Sequence, residues 1–336
     1  MVKIVKIAFF EIKEWEKKYL QEKMKGHSLK FFEKPLTIEN VDKVHGFDVI
    51  STFIYSKITK QILDQCSNLK LIATRSTGFD HVDVVECNKR EIPVSNVPYY
   101  GENTIAEHTF GLILSLSRNI HKSYLRTLRN DFSIKGLKGF DLKGKTIGVV
   151  GAGHIGLHVI RVAKAFGMNV LAYDIRQDSF LAEVLGFEYV PFEDLLKNSD
   201  IITLHVPHNK YTHHLINKDN VGIIKKGSIL INTARGGVID TEAIIEALDK
   251  KILSGVGLDV LEGEELFLEE TRLVYDPENL ENLANLVKDQ ILLSKDNVVF
   301  TPHIAFYSQE ALERILDTTT ENITAFVSGA VQNMVN

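Results

Sequence analysis

Short apolar runs alternate with amphipathic stretches along the chain, a pattern typical of a parallel α/β sheet. Residues Thr146–Val150 are largely apolar and β-branched, which indicates a buried strand. In the following stretch, apolar residues recur three and four positions apart from Ile155 to Phe166, which predicts a helix with one buried face. Asn169–Tyr173 then predicts a second strand, closed by Asp174. The region therefore predicts a strand–turn–helix–strand unit.

The same alternation extends over both halves of the chain. Strand and helix patterns alternate before residue 100 and again after residue 174, which favours parallel sheets. We expect an α/β fold with two Rossmann-like, parallel-sheet domains. The other predicted strands are Ile4–Phe10, Lys30–Phe32, Val49–Ile54, Leu71–Thr74, Pro93–Asn96, Asp200–Val206, Ser228–Thr233, Gly255–Val260 and Asn297–Phe300.

Three helical patterns bear on the domain boundaries. A long helix is predicted from Asn103, a candidate N-cap, to Ile120, between the first sheet and the central unit. Glu265–Lys295 is charged and helical in pattern, and Gln309–Ser328 also has helical spacing. If the last helix returns to the first sheet, the N-terminal domain is discontinuous. We expect one domain of residues 1–100 with 304–336 and another of residues 101–303.

The turn of the central unit, Gly151–Gly156, reads GAGHIG. Gly151 would allow a tight turn, Gly153 would let a pyrophosphate approach the backbone, and Gly156 would let helix and strand pack closely. The N–H groups at the helix start would then bind the phosphates. Asp174 would accept hydrogen bonds from the adenosine ribose and repel a 2′-phosphate, which favours NAD over NADP. We therefore expect NAD at this turn.

Composition and charge exclude several classes of protein. With 336 residues, the chain is long for one domain, and its 44% hydrophobic and 25% charged content is that of an ordinary globular protein. The net charge of −5 argues against nucleic-acid binding, and no apolar run is long enough for a membrane span. Met1–Phe10 lacks a signal-peptide layout, and two cysteines, Cys66 and Cys87, cannot form a disulfide framework. We expect a cytoplasmic protein.

Residues suited to hydride-transfer chemistry follow the later strands. Ligands bind outside the carboxyl ends of strands in open α/β sheets, where Arg235, the acidic run Glu262–Glu265 and His303 are expected. An arginine can hold the carboxylate of a 2-oxo acid and polarise its carbonyl group. A histidine can protonate the developing alkoxide, and a neighbouring carboxylate would raise the pKa of that histidine. Which glutamate of the run would do so is left open by these arguments.

Several segments in family order resemble the D-isomer-specific 2-hydroxyacid dehydrogenases, and most of all their D-lactate dehydrogenase branch. The resemblance covers nearly the whole chain. It implies an NAD-dependent enzyme that interconverts a small 2-oxo acid and its D-2-hydroxy acid. The substrate that it favours is pyruvate, which gives D-lactate. The segments are RSTGFDHVD (75–83), NVPYY (96–100), TIAEHT (104–109), GVVGAGHIG (148–156), LHVP (204–207), INTARGG (231–237), GLDVLEGEE (257–265) and TPHIAFY (301–307).

The resemblance also implies roles for individual residues. Arg235 resembles the substrate arginine, His303 the acid/base, and Glu264 the glutamate paired with that histidine. Phe53 stands where some relatives carry tyrosine. The implied cofactor residues are Gly151, Gly153, His154, Ile155, Gly156, Asp174, Val206, Pro207, Thr212, Thr233, Ala234, Arg235 and Asp259. The implied substrate residues are Phe53, Thr77, Gly78, Tyr100, Arg235 and Tyr307.

By the same resemblance, residues 1–100 with 304–336 form the substrate domain and residues 101–303 the NAD-binding domain. The substrate is expected in the cleft between them, and a homodimer is implied. Two other functions stay open: a dehydrogenase for another 2-oxo acid, such as an aromatic or branched acid, hydroxypyruvate or phosphoglycerate, and a non-catalytic NAD(H)-sensing scaffold.

Four histidines, at positions 205, 208, 213 and 214, lie close together in the sequence. No carboxylate or cysteine stands near them at the spacing typical of a metal site. We therefore predict no metal.

Overall fold

The computed structural model describes residues 4–262 and 280–336, with residues 280–286 described by their backbone alone. The chain divides into two units, Met1–Tyr100 with Ser308–Asn336 (unit 1) and Gly101–Tyr307 (unit 2). Each unit is built on one sheet in which all neighbouring strands run parallel. The prediction of two parallel-sheet α/β domains is confirmed.

Strands and helices alternate through both units and are numbered in chain order. The strands are β1 (Lys6–Phe9), β2 (Ser28–Phe31), β3 (Val49–Thr52), β4 (Leu71–Thr74), β5 (Val94–Ser95), β6 (Thr146–Val150), β7 (Asn169–Tyr173), β8 (Glu188–Tyr189), β9 (Ile201–Leu204), β10 (Ser228–Asn232), β11 (Leu253–Leu258) and β12 (Val298–Phe300). The helices are α1 (Glu14–Lys23), α2 (Lys60–Asp64), α3 (Val84–Lys89), α4 (Glu102–Ser117), α5 (Ile120–Thr127), α6 (His154–Ala165), α7 (Ser179–Leu185), α8 (Phe192–Asn198), α9 (Thr241–Asp249), α10 (Leu280–Leu293) and α11 (Gln309–Val327).

Unit 1 contains the five-stranded sheet, in the order β2-β1-β3-β4-β5. Its strands β3 and β4 are buried at every position, as expected of strands covered on both faces. Helix α11 returns to this sheet, because Leu316 and Ile323 share a hydrophobic core with Leu71 of β4. The tail after α11 then forms an antiparallel bridge between Met334 and Ser95, next to the edge strand β5.

Unit 2 contains the seven-stranded sheet, in the order β12-β11-β10-β9-β6-β7-β8. The registers pair Phe300 with Leu258, Leu258 with Asn232, Asn232 with Leu204, and Leu204 with Val150. Five neighbouring strands therefore end at nearly the same level, and the residues that follow them gather at one edge of the sheet.

The predicted single helix from Asn103 to Ile120 is wrong in its extent. Helix α4 begins after Gly101 and ends at Ser117, and Ile120 opens the separate helix α5. Asn119 lies between them with φ +52°, a left-handed conformation that asparagine adopts more readily than most residues and that ends a helix. The apolar spacing ran across this break because Ile120 falls where the next apolar position was expected.

The predicted helical stretch Glu265–Lys295 lies partly outside the described residues, and α10 covers part of the remainder. The predicted catalytic residue Glu264 also lies outside them. No helix in the described ranges has both the length and the apolar composition needed to cross a membrane.

Candidate active site

The turn after β6 is shaped by close backbone contacts. Gly151 has φ +94°, and a Cβ atom there would lie 2.6 Å from the carbonyl oxygen of His205. A Cβ atom at Gly156 would lie 2.0 Å from the carbonyl oxygen of Gly151. A Cβ atom at Gly153 would meet no described atom within 4 Å. Two glycines thus allow tight packing, and the third leaves open space where a ligand would approach the backbone.

Asp174 lies directly against this turn. Its Oδ2 accepts a hydrogen bond of 2.8 Å from the Ala152 N–H, and its Oδ1 accepts one of 2.8 Å from the Arg176 N–H. The N-cap residue of α6 is Gly153, which has no side chain. A glycine at a helix start leaves room for a pyrophosphate, and a carboxylate beside the turn suits a ribose, so these residues fit a dinucleotide.

The loop after β9 is held together at Thr212. The Thr212 hydroxyl donates to the Pro207 carbonyl oxygen at 2.5 Å and accepts from the Asn209 N–H at 2.9 Å. Val206 packs over the glycine turn, since its Cγ1 would lie 3.0 Å from a Cβ atom at Gly151. The loop therefore closes over the same edge of the sheet as the glycine turn.

Arg235 follows β10 on a loop that Asn232 and Gly236 position. Asn232 accepts a hydrogen bond from the Ala234 N–H at 3.0 Å and donates one to the Arg235 carbonyl oxygen at 2.9 Å. A Cβ atom at Gly236 would lie 1.9 Å from the Leu261 carbonyl oxygen, so this loop lies directly against the segment after β11. The Arg235 side chain is exposed, and its Nη1 donates to the Ala234 carbonyl oxygen at 2.7 Å.

Asp259, directly after β11, is fully buried and holds the turn that carries His303. Its carboxylate accepts hydrogen bonds from the Thr301 hydroxyl at 2.5 Å, the Ile304 N–H at 3.0 Å and the Ala305 N–H at 2.8 Å. Its carbonyl oxygen accepts from the His303 N–H at 2.8 Å. His303 has φ +51°, and these contacts keep it in that left-handed conformation.

Two residues of α4 join the site that the sequence analysis missed. His108 Nε2 lies 2.8 Å from the Thr301 hydroxyl and 3.4 Å from Asp259 Oδ1. The Thr109 hydroxyl lies 3.1 Å from that of Thr233, a predicted cofactor residue. The sequence feature that could have identified them is the polar pair His108 and Thr109 within an otherwise apolar helix pattern, because buried polar groups need specific partners.

In unit 1, the predicted substrate loop is fixed by its side chains. The Thr77 hydroxyl donates to the Val97 carbonyl oxygen at 2.8 Å, the Ser76 hydroxyl to the Gly78 carbonyl oxygen at 2.6 Å, and the Asn96 amide to the Thr77 carbonyl oxygen at 2.8 Å. Within the described residues, neither the Thr77 nor the Gly78 N–H donates a hydrogen bond. A fixed loop with two such amides suits an anion.

Arg75 and Glu11, to which the sequence analysis gave no role, lie beneath this loop. Arg75 is 2% exposed, and its guanidinium donates to the Phe10 carbonyl oxygen at 2.5 Å and the Ser51 hydroxyl at 3.1 Å. Burial lowers the pKa of this guanidinium. The Glu11 carboxylate accepts from the Phe53 N–H at 3.0 Å, so it fixes the backbone of a predicted substrate residue.

Known proteins resemble this chain over almost all of its length. Residues 110–305, more than half of the chain, match the family model described as D-isomer specific 2-hydroxyacid dehydrogenase, NAD binding domain. The chain belongs to the D-isomer specific 2-hydroxyacid dehydrogenases. It is 37% identical over 340 residues to a 2-hydroxyacid dehydrogenase homolog of Haemophilus influenzae (98% of this chain, 99% of that protein). It is 36% identical over 333 residues to the D-lactate dehydrogenase of Escherichia coli K12 (97% of this chain, 98% of that protein).

A solved dehydrogenase shares the fold as well. The D-lactate dehydrogenase of Aquifex aeolicus, complexed with NAD and lactic acid, matches with a TM-score of 0.86 and 37% identity over 98% of each chain. The predictions of the family, of an NAD-dependent dehydrogenase and of NAD as cofactor are confirmed. The alternative of a non-catalytic NAD(H)-sensing scaffold is therefore not retained.

The other predicted site residues of this 2-hydroxyacid dehydrogenase stay predictions in their roles. Tyr100, in unit 1, accepts a hydrogen bond at its carbonyl oxygen from Arg314 Nε at 2.6 Å. Tyr307, in unit 2, is exposed and stacks edge-to-face on Phe306 at 5.8 Å. Asp259 binds donors of its own chain through both carboxylate oxygens, so its predicted role in cofactor binding would add to a structural role.

Proposed function

We propose that this dehydrogenase reduces pyruvate to D-lactate with NADH and catalyses the reverse reaction. The observation that carries the proposal is the similarity to D-lactate dehydrogenases over almost the whole of both chains. The placement of Arg235 and His303 supports it, because they follow β10 and β12, the two neighbours of β11 in one sheet.

In the proposed reaction, Arg235 binds the substrate carboxylate and polarises the carbonyl group. Its guanidinium is exposed and offers several N–H donors in a planar fork, which matches a carboxylate. His303 donates a proton to the carbonyl oxygen as negative charge develops there. We assign Glu264 as the carboxylate paired with His303, as the family resemblance implies. The bound NADH supplies the hydride for the carbonyl carbon.

We assign the cofactor to the unit 2 edge that carries the glycine turn. The first turn of α6, with His154, Ile155 and Gly156, would bind the pyrophosphate, and Asp174 would bind the ribose. The list of further cofactor contacts follows the family: Val206, Pro207, Thr212, Thr233, Ala234 and Asp259. On the substrate side we retain Thr77 and Gly78 as carboxylate donors, with Phe53, Tyr100 and Tyr307 as pocket residues.

We also propose that the enzyme is a homodimer. Helix α5 has no buried residue, and a run of exposed apolar side chains continues beyond it. The exposed apolar residues of this segment are Ile120, Tyr124, Leu125, Leu128, Phe132 and Ile134. Exposed apolar side chains that cluster in one segment, rather than standing singly, are typical of an interaction surface. Two copies can cover such a segment by packing the same face together about a twofold axis. Replacing Tyr124 and Leu128 with aspartate should yield a monomer in analytical ultracentrifugation; a monomeric wild type would contradict the proposal.

The two cysteines support a place in the cytoplasm. Cys66 and Cys87 are both unpaired thiols and both buried. Burial raises the pKa of each thiol to about 11, so neither is poised for disulfide exchange. Two protected thiols fit a reducing compartment.

The proposal is tested by NADH oxidation with a panel of 2-oxo acids. We expect the highest kcat/KM with pyruvate, lower values with phenylpyruvate and hydroxypyruvate, and D-lactate as the product in chiral chromatography. In His303→Ala, kcat should fall by about 100- to 10,000-fold while NADH still binds. A higher kcat/KM with another acid would replace pyruvate as the substrate, and L-lactate as product would overturn the proposal.

A further inference from the structure

Three histidines and one glutamate meet on the surface of unit 2, apart from the residues assigned above. This group, His208, His213, His214 and Glu262, is called the histidine cluster below. His214 Nε2 lies 2.6 Å from Glu262 Oε1, and His208 Nε2 lies 3.0 Å from His213 Nδ1. The rings of His213 and His214 stack with centroids 3.9 Å apart. Potential ligand atoms of His213, His214 and Glu262 all lie within 4.8 Å of one another.

The sequence analysis predicted no metal because no carboxylate stands near these histidines in the chain. Glu262 lies 48 residues beyond His214, and only the parallel sheet brings it there. The absence of a carboxylate at short sequence spacing therefore did not exclude one nearby in space. The fourth histidine, His205, takes no part in the cluster. Its Nε2 instead pairs with the Thr203 hydroxyl at 2.9 Å.

The backbone holds the histidine cluster in place. The His214 N–H donates to the Gly237 carbonyl oxygen at 2.9 Å, and the His208 ring lies over Gly237, where a Cβ atom would come within 2.7 Å of its Nε2. His214 has φ +47°. For a residue other than glycine, this left-handed conformation costs about 1 kcal/mol, and it aims the side chain at Glu262. Contacts with Gly237 and the backbone conformation of His214 together fix the positions of these two histidines.

We propose that His213, His214 and Glu262 bind one divalent transition-metal ion, with zinc as the preferred ion. Two imidazole nitrogens and one carboxylate oxygen are the ligand set of zinc sites that leave the fourth position to water. Tetrahedral bonds of about 2.0–2.1 Å place ligand atoms roughly 3.4 Å apart. That spacing is longer than the 2.6 Å between His214 Nε2 and Glu262 Oε1 and within the 4.8 Å limit that holds for all three ligand atoms.

His208 completes the arrangement as an outer partner. When His213 binds the ion through Nε2, its Nδ1–H donates to His208 Nε2, which fixes the ring orientation in the way that metal-binding histidines commonly require.

This site goes beyond the proposed function and does not depend on it. Its ligands come from the loop after β9 and the segment after β11, so the ion would tie these two segments together. The expected consequence is a higher thermal stability of unit 2 with the metal bound.

The test uses the full chain without a polyhistidine tag, stripped with EDTA and titrated with Co²⁺ or Zn²⁺ alone. We expect one ion per chain by elemental analysis, a visible Co²⁺ spectrum of tetrahedral intensity that Zn²⁺ abolishes, and a raised Tm with Zn²⁺. His213→Ala and Glu262→Gln should each weaken Zn²⁺ binding by about tenfold or more. His45→Ala, which removes an exposed histidine of unit 1, is the matched control and should bind as the wild type does.

Glu262→Gln preserves shape, so it decides the matter even if His213→Ala fails to fold. Sub-stoichiometric binding, or affinity equal to the wild type in Glu262→Gln, would overturn the proposal and leave His214–Glu262 as an ordinary ion pair. These readouts do not involve turnover, so failure of the pyruvate proposal would not affect them.

Discussion

Two arginines of this enzyme occupy similar places in their sheets and opposite environments. Arg75 directly follows β4 in unit 1, and Arg235 comes three residues after β10 in unit 2. Arg75 is 2% exposed and donates to backbone and side-chain oxygens of neighbouring segments. Arg235 is exposed, and among the described residues its side chain bonds only locally, to Ala234. A residue after the carboxyl end of a parallel strand can therefore either be buried and stabilise neighbouring segments, as Arg75 does, or be exposed where a ligand could reach it, as Arg235 is. The course of the loop decides between the two.

Two aspartates repeat the contrast. Asp259 after β11 is fully buried, and donors of its own chain fill its carboxylate. Asp174 after β7 is half-buried, and within the described ranges its carboxylate binds two backbone N–H groups. The inward-facing residues should matter for folding, and the outward-facing ones for substrate and cofactor.

The largest effect is expected from Arg75→Met. Methionine fills similar volume but leaves the buried oxygens of Phe10 and Ser51 without a donor, at a cost of about 1–3 kcal/mol each. We expect the free energy of unfolding to fall by about 3–5 kcal/mol in urea titration. Arg235→Met is the control, with a change within about 0.5 kcal/mol. A loss below about 1 kcal/mol in Arg75→Met would break the comparison.

Arg235→Gln should show the reverse behaviour. Removing a charged donor from the substrate site is expected to lower kcat/KM with pyruvate by about 100- to 1000-fold, or 2.7–4 kcal/mol. Urea unfolding should stay as in the wild type. Arg235→Lys keeps the charge but not the planar fork, so its loss should be smaller. If Arg235→Gln keeps full activity, the outward arginine does not hold the substrate.

The different environments of these residues also show which features of the site could be predicted from the sequence. Apolar periodicity predicted eleven of the twelve described strands to within about two residues at each end and missed the short strand β8. It succeeded because parallel strands are short, buried and bounded by polar turns. It therefore located Arg235, Asp259 and His303 along the chain. It could not show that Asp259 faces inward, because that depends on the turn 301–305 folding back onto it. Arg75 was noted only within a motif, since nothing local distinguishes a buried arginine from an exposed one.

Contacts between segments that are distant in the sequence were the second feature that could not be predicted. His108 reaches Thr301 across 193 residues, and Glu262 reaches His214 across 48. Neither pairing has a local spacing that a single sequence reveals, because both are created by strand order. Residues on a common sheet edge were predictable as a group, but their individual partners were not.

The smallest effect is expected from replacing Asp174, and it tests whether this half-buried aspartate serves the cofactor rather than the fold. In Asp174→Ala, the loss of one charged hydrogen-bond acceptor should weaken NADH use by about 1.5–3 kcal/mol and remove the repulsion of a 2′-phosphate. Asp174→Asn separates the two effects, because it keeps an acceptor for the Ala152 N–H and removes only the charge. The measurement is kcat/KM with NADH and with NADPH in both variants. The ratio should fall in both, mainly through weaker NADH use in the alanine variant and mainly through better NADPH use in the asparagine variant. An unchanged ratio in both would mean that Asp174, like Asp259, serves only the backbone around it.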